Sequence, residues 1–291
     1  MSKKIIVLQL IVIVFTFNVS AQKDTNLISS NSREVWYEPA PEGMDFIPQG
    51  SFTFKNDTGE QTITVPSFWM SNEITNKEYR DFINYATSHP LDTLKWNNWE
   101  TVNGLRILSG ENIVIYAEIM NEIDVDILVL AGEYKSDTVM FNKYKNYFYD
   151  KEFDKFPVVG VSYTGAFYYC LWKTTKERKE NKDFVYKADY RIPYAEEWLY
   201  AASLCEKPKE NSSNEIKDVK YYKQGKKFKI CNLTANVSEW TSTCSTEKDS
   251  KFVLGSSWKE NSSDEMKKSL NINTRSSVVG FRIVRSYIGN R

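Results

Sequence analysis

The fold of this chain is decided by residues 191–202, which read RIPYAEEWLYAA. Proline is favoured in the first turn of a helix, where its missing N–H needs no partner, so Pro193 marks a helix start. Charged residues inside apolar blocks are rarely buried without a partner. We therefore predict that Arg191, Glu197 and Arg282 form a buried network that fixes the fold; contact with a polar ligand is the alternative.

Six further blocks surround this stretch in a fixed order. They are residues 43–52 (GMDFIPQGSF), 72–79 (NEITNKEY), 156–172 (FPVVGVSYTGAFYYCLW), 236–241 (NVSEWT), 255–258 (GSSW) and 279–282 (VGFR). In order and spacing, all seven resemble the formylglycine-generating enzyme, or sulfatase-modifying-factor, domain family over residues 43–287. This resemblance implies an α+β protein with much irregular structure, in the formylglycine-generating-enzyme variety of the C-type-lectin-like fold.

The resemblance fails where the activity of the family lies. Its enzymes oxidise a cysteine of a target sulfatase with a copper-binding cysteine pair located between the last two blocks. Here the interval 259–279 contains no cysteine, and Met266 is its only sulfur. Monovalent copper requires thiolate or thioether ligands, and oxidation of a thiol requires a thiolate. We therefore expect no copper, assign no catalytic residue and predict a catalytically silent relative, a pseudoenzyme.

Residues 1–21 have the form of a cleaved secretory signal peptide. Two lysines precede the apolar residues 5–17, and small residues end the segment at Ala21. A retained membrane anchor is the alternative, but the apolar run is short for a span of ~20 residues. Residues 22–42 are polar and predict a flexible leader. We expect a periplasmic or secreted protein without a transmembrane anchor after signal cleavage.

Composition narrows the class of partner. The 291 residues contain 38 Lys and Arg against 38 Asp and Glu, so no basic face is indicated and we expect no nucleic-acid partner. Aromatic residues make up 14% of the chain, which is ample for a large core. We predict that Trp198 and Trp240 have structural roles; Trp240, Trp258 and Tyr163 line a groove only if they are not packed in the core.

Four cysteines, Cys170, Cys205, Cys231 and Cys244, are candidates for disulfide bonds, because an even number is typical of exported proteins. Sequence does not rank the three possible pairings. A bond between Cys231 and Cys244 would staple residues 236–240. The resemblance implies that the usual partner of Cys170 is missing, so Cys170 is either bonded to Cys205 or a buried free thiol.

Calcium is the one metal that the resemblance implies. In the family, the loop matching residues 236–239 holds calcium through the side chains that match Asn236 and Glu239, and hard oxygen ligands suit this ion. The alternative is that these two side chains only hydrogen-bond the loop, and both possibilities stay open. His89 is the only histidine, so a three-histidine site cannot form, and we expect His89 at a helix end.

Local patterns predict several elements. Thr75 and Glu78 form a capping box that begins a helix, and Pro90 follows its end. Residues 46–54 alternate like one strand, with residues 61–65 as its hairpin partner. A second helix begins near Ser162. Its predicted buried residues, with those of the first helix, are Tyr79, Phe82, Ile83, Ala86, Ala166, Tyr169 and Cys170.

The insertion 91–155 resembles, in position and composition, proteins of bacterial gliding-motility and type IX secretion machines. A surface insertion packed by its own rings is the alternative. The main hypothesis is an exported, non-catalytic binding or scaffold protein with a protein partner in such a cell-envelope assembly. Two others stay open: an oxidase of protein thiols with an atypical active site, and a binder of carbohydrate or peptide.

Overall fold

The computed structural model describes residues 40–56, 59–102, 105–180, 189–205, 214–221, 230, 232–259 and 268–286. The predicted signal peptide, all but the last residues of the leader, Cys231 and most of the polar stretch 207–229 lie outside the described residues. Within the described part of the chain, no helix is both long and apolar enough to cross a membrane.

The described residues form twelve strands and five α-helices, joined by short 3-10 turns. The first half contains β1 (Met44–Ile47), β2 (Gly50–Asn56), β3 (Gly59–Val65), β4 (Phe68–Glu73), α1 (Asn76–Ser88), β5 (Thr93–Val102), β6 (Leu105–Ile115), α2 (Met120–Ile123) and α3 (Thr138–Tyr144). The second contains α4 (Tyr163–Glu180), β7 (Asp189–Arg191), α5 (Ala195–Leu204), β8 (Ser238–Cys244), β9 (Ser250–Leu254), β10 (Lys268–Asn271), β11 (Val279–Gly280) and β12 (Arg282–Ser286).

Two four-stranded sheets and two hairpins organise these strands. One sheet has the order β1-β4-β12-β7 and is antiparallel throughout. The other has the order β10-β9-β8-β11, in which β11 runs parallel to β8. Strands β2 and β3 form one separate hairpin and β5 and β6 the other. This mixture of short strands and helices confirms the predicted α+β class.

Helix α1 begins as the capping box predicts. The Glu78 N–H donates to Thr75 Oγ1 over 3.2 Å, and the Thr75 N–H donates to Glu78 Oε2 over 2.9 Å. The predicted apolar face turns inward, where Tyr79 stacks on Tyr169 of α4 with ring centroids 5.8 Å apart. His89 is the C-cap residue, because Pro90 cannot continue the helix.

Helix α5 obtains its cap from a distant strand. The sequence places Tyr194 where the family has a capping threonine, and the helix begins at Ala195, two residues after Pro193. The Ala195 N–H donates over 2.9 Å to Thr243 Oγ1 on β8. A hydroxyl 48 residues away therefore satisfies a helix-start donor that the local sequence leaves open.

The prediction of one strand over residues 46–54 is wrong, although its hairpin is confirmed. The chain leaves β1 at Ile47, and β1 pairs with β4 whereas β2 pairs with β3. The break falls at Pro48, which has no N–H to donate to a ladder. Gly50 then starts β2 under Tyr200, whose hydroxyl would lie 2.1 Å from an added Cβ atom.

The insertion 91–155 contributes to the core as well as to the surface. Its rings do pack on one another, with Tyr147 and Phe153 5.0 Å apart, but they share a buried cluster with Trp258 and Val237. The Asn76 amide also donates to the carbonyls of Tyr147 and Phe153, over 3.2 and 3.0 Å. The insertion is thus anchored to α1 and to the GSSW block.

Candidate functional site

A buried ion pair between Arg282 and Glu239 connects two of the seven sequence blocks. Both side chains are 0% exposed. Arg282 Nε donates to Glu239 Oε2 over 2.5 Å, and a terminal guanidinium nitrogen donates to Oε1 over 2.6 Å. This bidentate geometry matches the planar fork of arginine to both carboxylate oxygens. Because Glu239 lies on β8 and Arg282 on β12, the pair joins the two four-stranded sheets.

Two further groups complete the shell of this pair. The Trp198 indole N–H on α5 donates to Glu239 Oε2 over 2.6 Å, and Arg282 donates to the Ser71 carbonyl on β4 over 2.9 Å. Trp198 is 0% exposed. The Glu239 carboxylate therefore connects helix α5, through Trp198, with both four-stranded sheets.

Arg191 and Glu197 form a second, separate pair. Two guanidinium nitrogens of Arg191 donate to the two Glu197 oxygens over 2.7 and 2.6 Å. Glu197 also accepts from the Tyr194 N–H over 2.9 Å, which ties the pair to the start of α5. The structure thus divides the three charged residues of the predicted network between two sites, and Arg282 takes Glu239 rather than Glu197.

Glu73 is the site residue that sequence reasoning missed. It ends β4, is 2% exposed and accepts hydrogen bonds from the side-chain amides of Asn232 (2.7 Å) and Asn236 (2.9 Å). Burial, and then the nearby Glu239 carboxylate, raise the pKa of Glu73 well above its ordinary value, against the opposing effects of Arg282 and the two amides. The available signal was the position of this acid inside the block NEITNKEY, beside the capping box.

The oxygens that a calcium ion would need at Asn236 and Glu239 are already engaged. Asn236 Oδ1 accepts from the Lys217 N–H over 2.8 Å, and both Glu239 oxygens face the Arg282 guanidinium. Within the described ranges, no group of three or more His, Cys, Asp or Glu side chains is placed to hold a metal ion. This donor set does not fit calcium, and the contacts correspond to the alternative in which the two side chains hydrogen-bond the loop.

The aromatic residues considered for a groove lie in the core. Trp240 is 0% exposed, and its indole N–H donates to the Val161 carbonyl over 3.1 Å. Tyr163 packs edge-on against it at 6.0 Å. Trp258 is 6% exposed and donates to the Ser277 carbonyl over 3.1 Å.

The described cysteines test only part of the disulfide expectation. Cys244 is exposed, and its free thiol accepts from Lys251 Nζ over 3.1 Å; Cys231, its possible partner in a staple, lies outside the described residues. Cys170 is a buried free thiol, the second of its two predicted alternatives, and burial raises the pKa of that thiol. Cys205 is half-buried at the end of α5.

The insertion 91–155 contacts the interval 259–279 near both of its ends. Glu133 accepts from the Ser277 hydroxyl and from Lys259 Nζ, each over 2.5 Å. The neighbouring Tyr134 stacks on Trp258 with ring centroids 6.0 Å apart. Residues 260–267 of this interval lie outside the described residues, whereas residues 268–279 are described.

Calcium is expected to leave the stability of the protein unchanged. A bound ion would stabilise the folded state by ~2.7 kcal/mol at a hundredfold excess over its dissociation constant. We expect melting curves of the wild type in calcium and in chelator to coincide, and Glu239→Gln to lower the melting temperature equally in both. A calcium-dependent rise that Glu239→Gln abolishes would contradict this assignment of the loop.

Glu73 predicts a specific pH dependence of stability. Because its pKa is raised in the folded state, the folded protein binds this proton more tightly, so the stability it contributes is complete below the ordinary pKa and is lost as the pH rises through the raised value. Glu73→Gln does not titrate, so unfolding free energies measured by urea titration from pH 4 to pH 8 should lose one proton's worth of slope, about 1.4 kcal/mol per pH unit in the transition region.

The exposed acid Glu118 supplies the control for that experiment. Glu118→Gln should retain the wild-type slope. An unchanged slope in Glu73→Gln would show that folding does not raise the pKa of Glu73.

Comparison with known proteins identifies the family. Residues 33–229 match the family model described as the sulfatase-modifying factor enzyme 1-like domain. No curated protein matches the chain. Solved structures similar to it include PvdO from Pseudomonas aeruginosa, with 17% identity, 84% of this chain and 94% of that chain covered, and a TM-score of 0.49.

Two more solved structures have comparable similarity. CarF has 12% identity, coverage of 84% of this chain and 98% of that one, and a TM-score of 0.47. Treponema denticola variable protein 1 has 13% identity, coverage of 83% and 94%, and a TM-score of 0.47. The family match confirms the resemblance read from the blocks and, with the α+β architecture, the predicted fold. This chain belongs to the sulfatase-modifying factor enzyme 1-like domain family.

Proposed function

We propose that this chain is an exported, non-catalytic binding or scaffold protein that uses the family's fold without its oxidase chemistry. The observation that carries the proposal is the absence of cysteine from residues 259–279, where the family's enzymes hold their copper. Without cysteine this interval has Met266 as its single soft ligand for monovalent copper, and it has no thiolate to react with the target cysteine. The ion pairs Arg282–Glu239 and Arg191–Glu197 are complete within the fold and leave no charge of these residues for a substrate.

The remaining thiols support the proposal from another direction. Cys170 is buried, and the raised pKa of its thiol keeps it protonated at neutral pH, which suppresses nucleophilicity. Among the described cysteines Cys244 is the exposed one, and it lies beside Lys251, so it is the first candidate for an oxidase with an atypical active site. That alternative needs a second thiol close by, and Cys170 is buried in the core around α4.

Export and the partner complete the proposal. The leader pattern of residues 1–21 directs the chain to the periplasm or the exterior. We assign its partner to a cell-envelope assembly of the gliding-motility or type IX secretion kind, on the resemblance of the insertion 91–155. Glu133 of this insertion contacts Lys259 and Ser277, and Tyr134 stacks on Trp258, so the insertion lies against the interval 259–279, which supports a binding role.

The activity test is direct. The purified protein is incubated with copper, oxygen and a cysteine-containing sulfatase peptide, and the peptide mass is followed beside a family enzyme that has the cysteine pair. We expect no mass change at the cysteine with this chain and complete conversion with the positive control.

Turnover above a no-protein blank would overturn the proposal. Loss of that turnover in Cys244→Ser, with Cys170→Ser unaffected, would instead establish the atypical thiol oxidase.

A further inference from the structure

The β5–β6 hairpin of the insertion 91–155 is a two-stranded sheet that no third strand joins among the described residues. One of its faces packs on α4, where Leu94 is 0% exposed and Trp96 lies edge-on to Phe167 with ring centroids 5.7 Å apart. The opposite face is open and carries Lys95 and Ile113, which are paired across the hairpin. Because a pair of strands alone is only marginally stable in water, a further strand would stabilise this hairpin.

Exposed apolar side chains are concentrated in the same insertion. Eight of the eleven large apolar side chains that are exposed in the described part of the chain lie in residues 91–155. Three of them, Ile107, Leu108 and Ile113, belong to β6. Ile113 is 56% exposed and lies in residues 110–115, which pair with β5 in unbroken register. A single exposed apolar residue is ordinary, whereas this concentration indicates an interaction surface.

The outer edge of β6 presents backbone groups without partners. The Tyr116 N–H donates to the Asp92 carbonyl over 3.2 Å, so every second residue from Tyr116 back to Gly110 turns its N–H and C=O toward β5. The residues between them direct these groups to the outer edge: Glu111, Ile113 and Ile115. No described residue hydrogen-bonds those groups. Proteins commonly protect such an edge with lysine or proline, and β6 contains neither.

This edge is complementary to itself. In an antiparallel pair of β6 strands with a twofold axis at Ile113, that residue faces Ile113 of the second copy, and Glu111 of each copy faces Ile115 of the other. Every outward backbone group is then hydrogen-bonded, and the side chains of the open face stay on one side of the sheet. An axis at Glu111 would instead set two carboxylates directly opposite each other, which is destabilising.

The charges of the hairpin favour a copy of this chain over a strongly charged partner. Residues 93–115 contain Lys95 and Arg106 against Glu100 and Glu111, so their formal net charge is zero. Since Lys95 is opposite Ile113, it is the diagonal neighbour of Glu111 on the open face. Two copies therefore meet without net repulsion, and neither an acidic nor a basic strand gains attraction from this edge.

We propose that two copies of this chain associate through β6 and form one four-stranded antiparallel sheet in the order β5-β6-β6-β5. Main-chain hydrogen bonds hold the two β6 strands together, with the exposed Ile113 side chains paired at the centre. The contact is small, so the dimer is weak and depends on protein concentration. This inference concerns the insertion alone and does not depend on whether the chain has oxidase activity.

The first test is the mass of the chain without residues 1–21, measured by sedimentation equilibrium from about 10 to 500 µM. We expect a reversible equilibrium between monomer and dimer. Ile113→Lys sets two ammonium groups opposite each other at the axis and should weaken the dimer about tenfold or more. Val139→Lys is the matched control, because Val139 is 77% exposed on α3, outside the hairpin. It should associate like the wild type.

Cross-linking tests the register of the two strands. In a chain whose exposed Cys244 is replaced by serine, a short bismaleimide should join Ile113→Cys to its own copy, because the axis brings the two thiols together. Asn97→Cys lies on the same open face of β5. The proposed sheet separates the two copies of that residue by about 20 Å, so Asn97→Cys should not cross-link.

A chain that stays monomeric at every concentration overturns the proposal and leaves the edge of β6 to a strand of another protein. The proposal is also overturned if Ile113→Lys, shown by circular dichroism to be folded, associates like the wild type. Cross-linking of Ile113→Cys that does not exceed that of Asn97→Cys would overturn it as well.

Discussion

The bidentate pair of Arg282 and Glu239 is the interaction on which the rest of this structure depends. A buried ion pair is weak support for stability when compared with an apolar replacement, but loss of one partner leaves an uncompensated charge in the core. Here the pair joins β8 to β12, and Trp198 of α5 donates to the same carboxylate. The packing of the two sheets and of α5 therefore depends on both charges being present.

This constraint separates the frame of the fold from the chemistry it hosts in other family members. The two sheets are held together by contacts among the ion pairs and the buried tryptophans of the fold. The oxidase chemistry of the family depends on something else, namely thiolates in the segment that corresponds to residues 259–279. Residues 259–279 contain no cysteine, whereas Arg282 and Glu239 are both present and paired.

Sequence predicted what depends on local contacts and missed what depends on distant ones. The capping box at Thr75 involves residues three apart and was readable, as was the order of blocks that identified the fold. The cap of α5 comes from Thr243, which no local pattern indicates. The role of Glu73 was not predicted, because only the folded chain brings Asn232 and Asn236 to its carboxylate. The same long-range packing places the insertion on Trp258.

The most direct test of the central claim is a double-mutant cycle on the unfolding free energy of Arg282→Met, Glu239→Gln and the double variant. We expect each single change to cost about 3–5 kcal/mol, because it strands the other charge, and the double variant to cost far less than their sum. The exposed Lys77–Asp81 pair, treated in the same way, should give almost no coupling. Additive effects at Arg282 and Glu239 would contradict the claim that this pair holds the two sheets together.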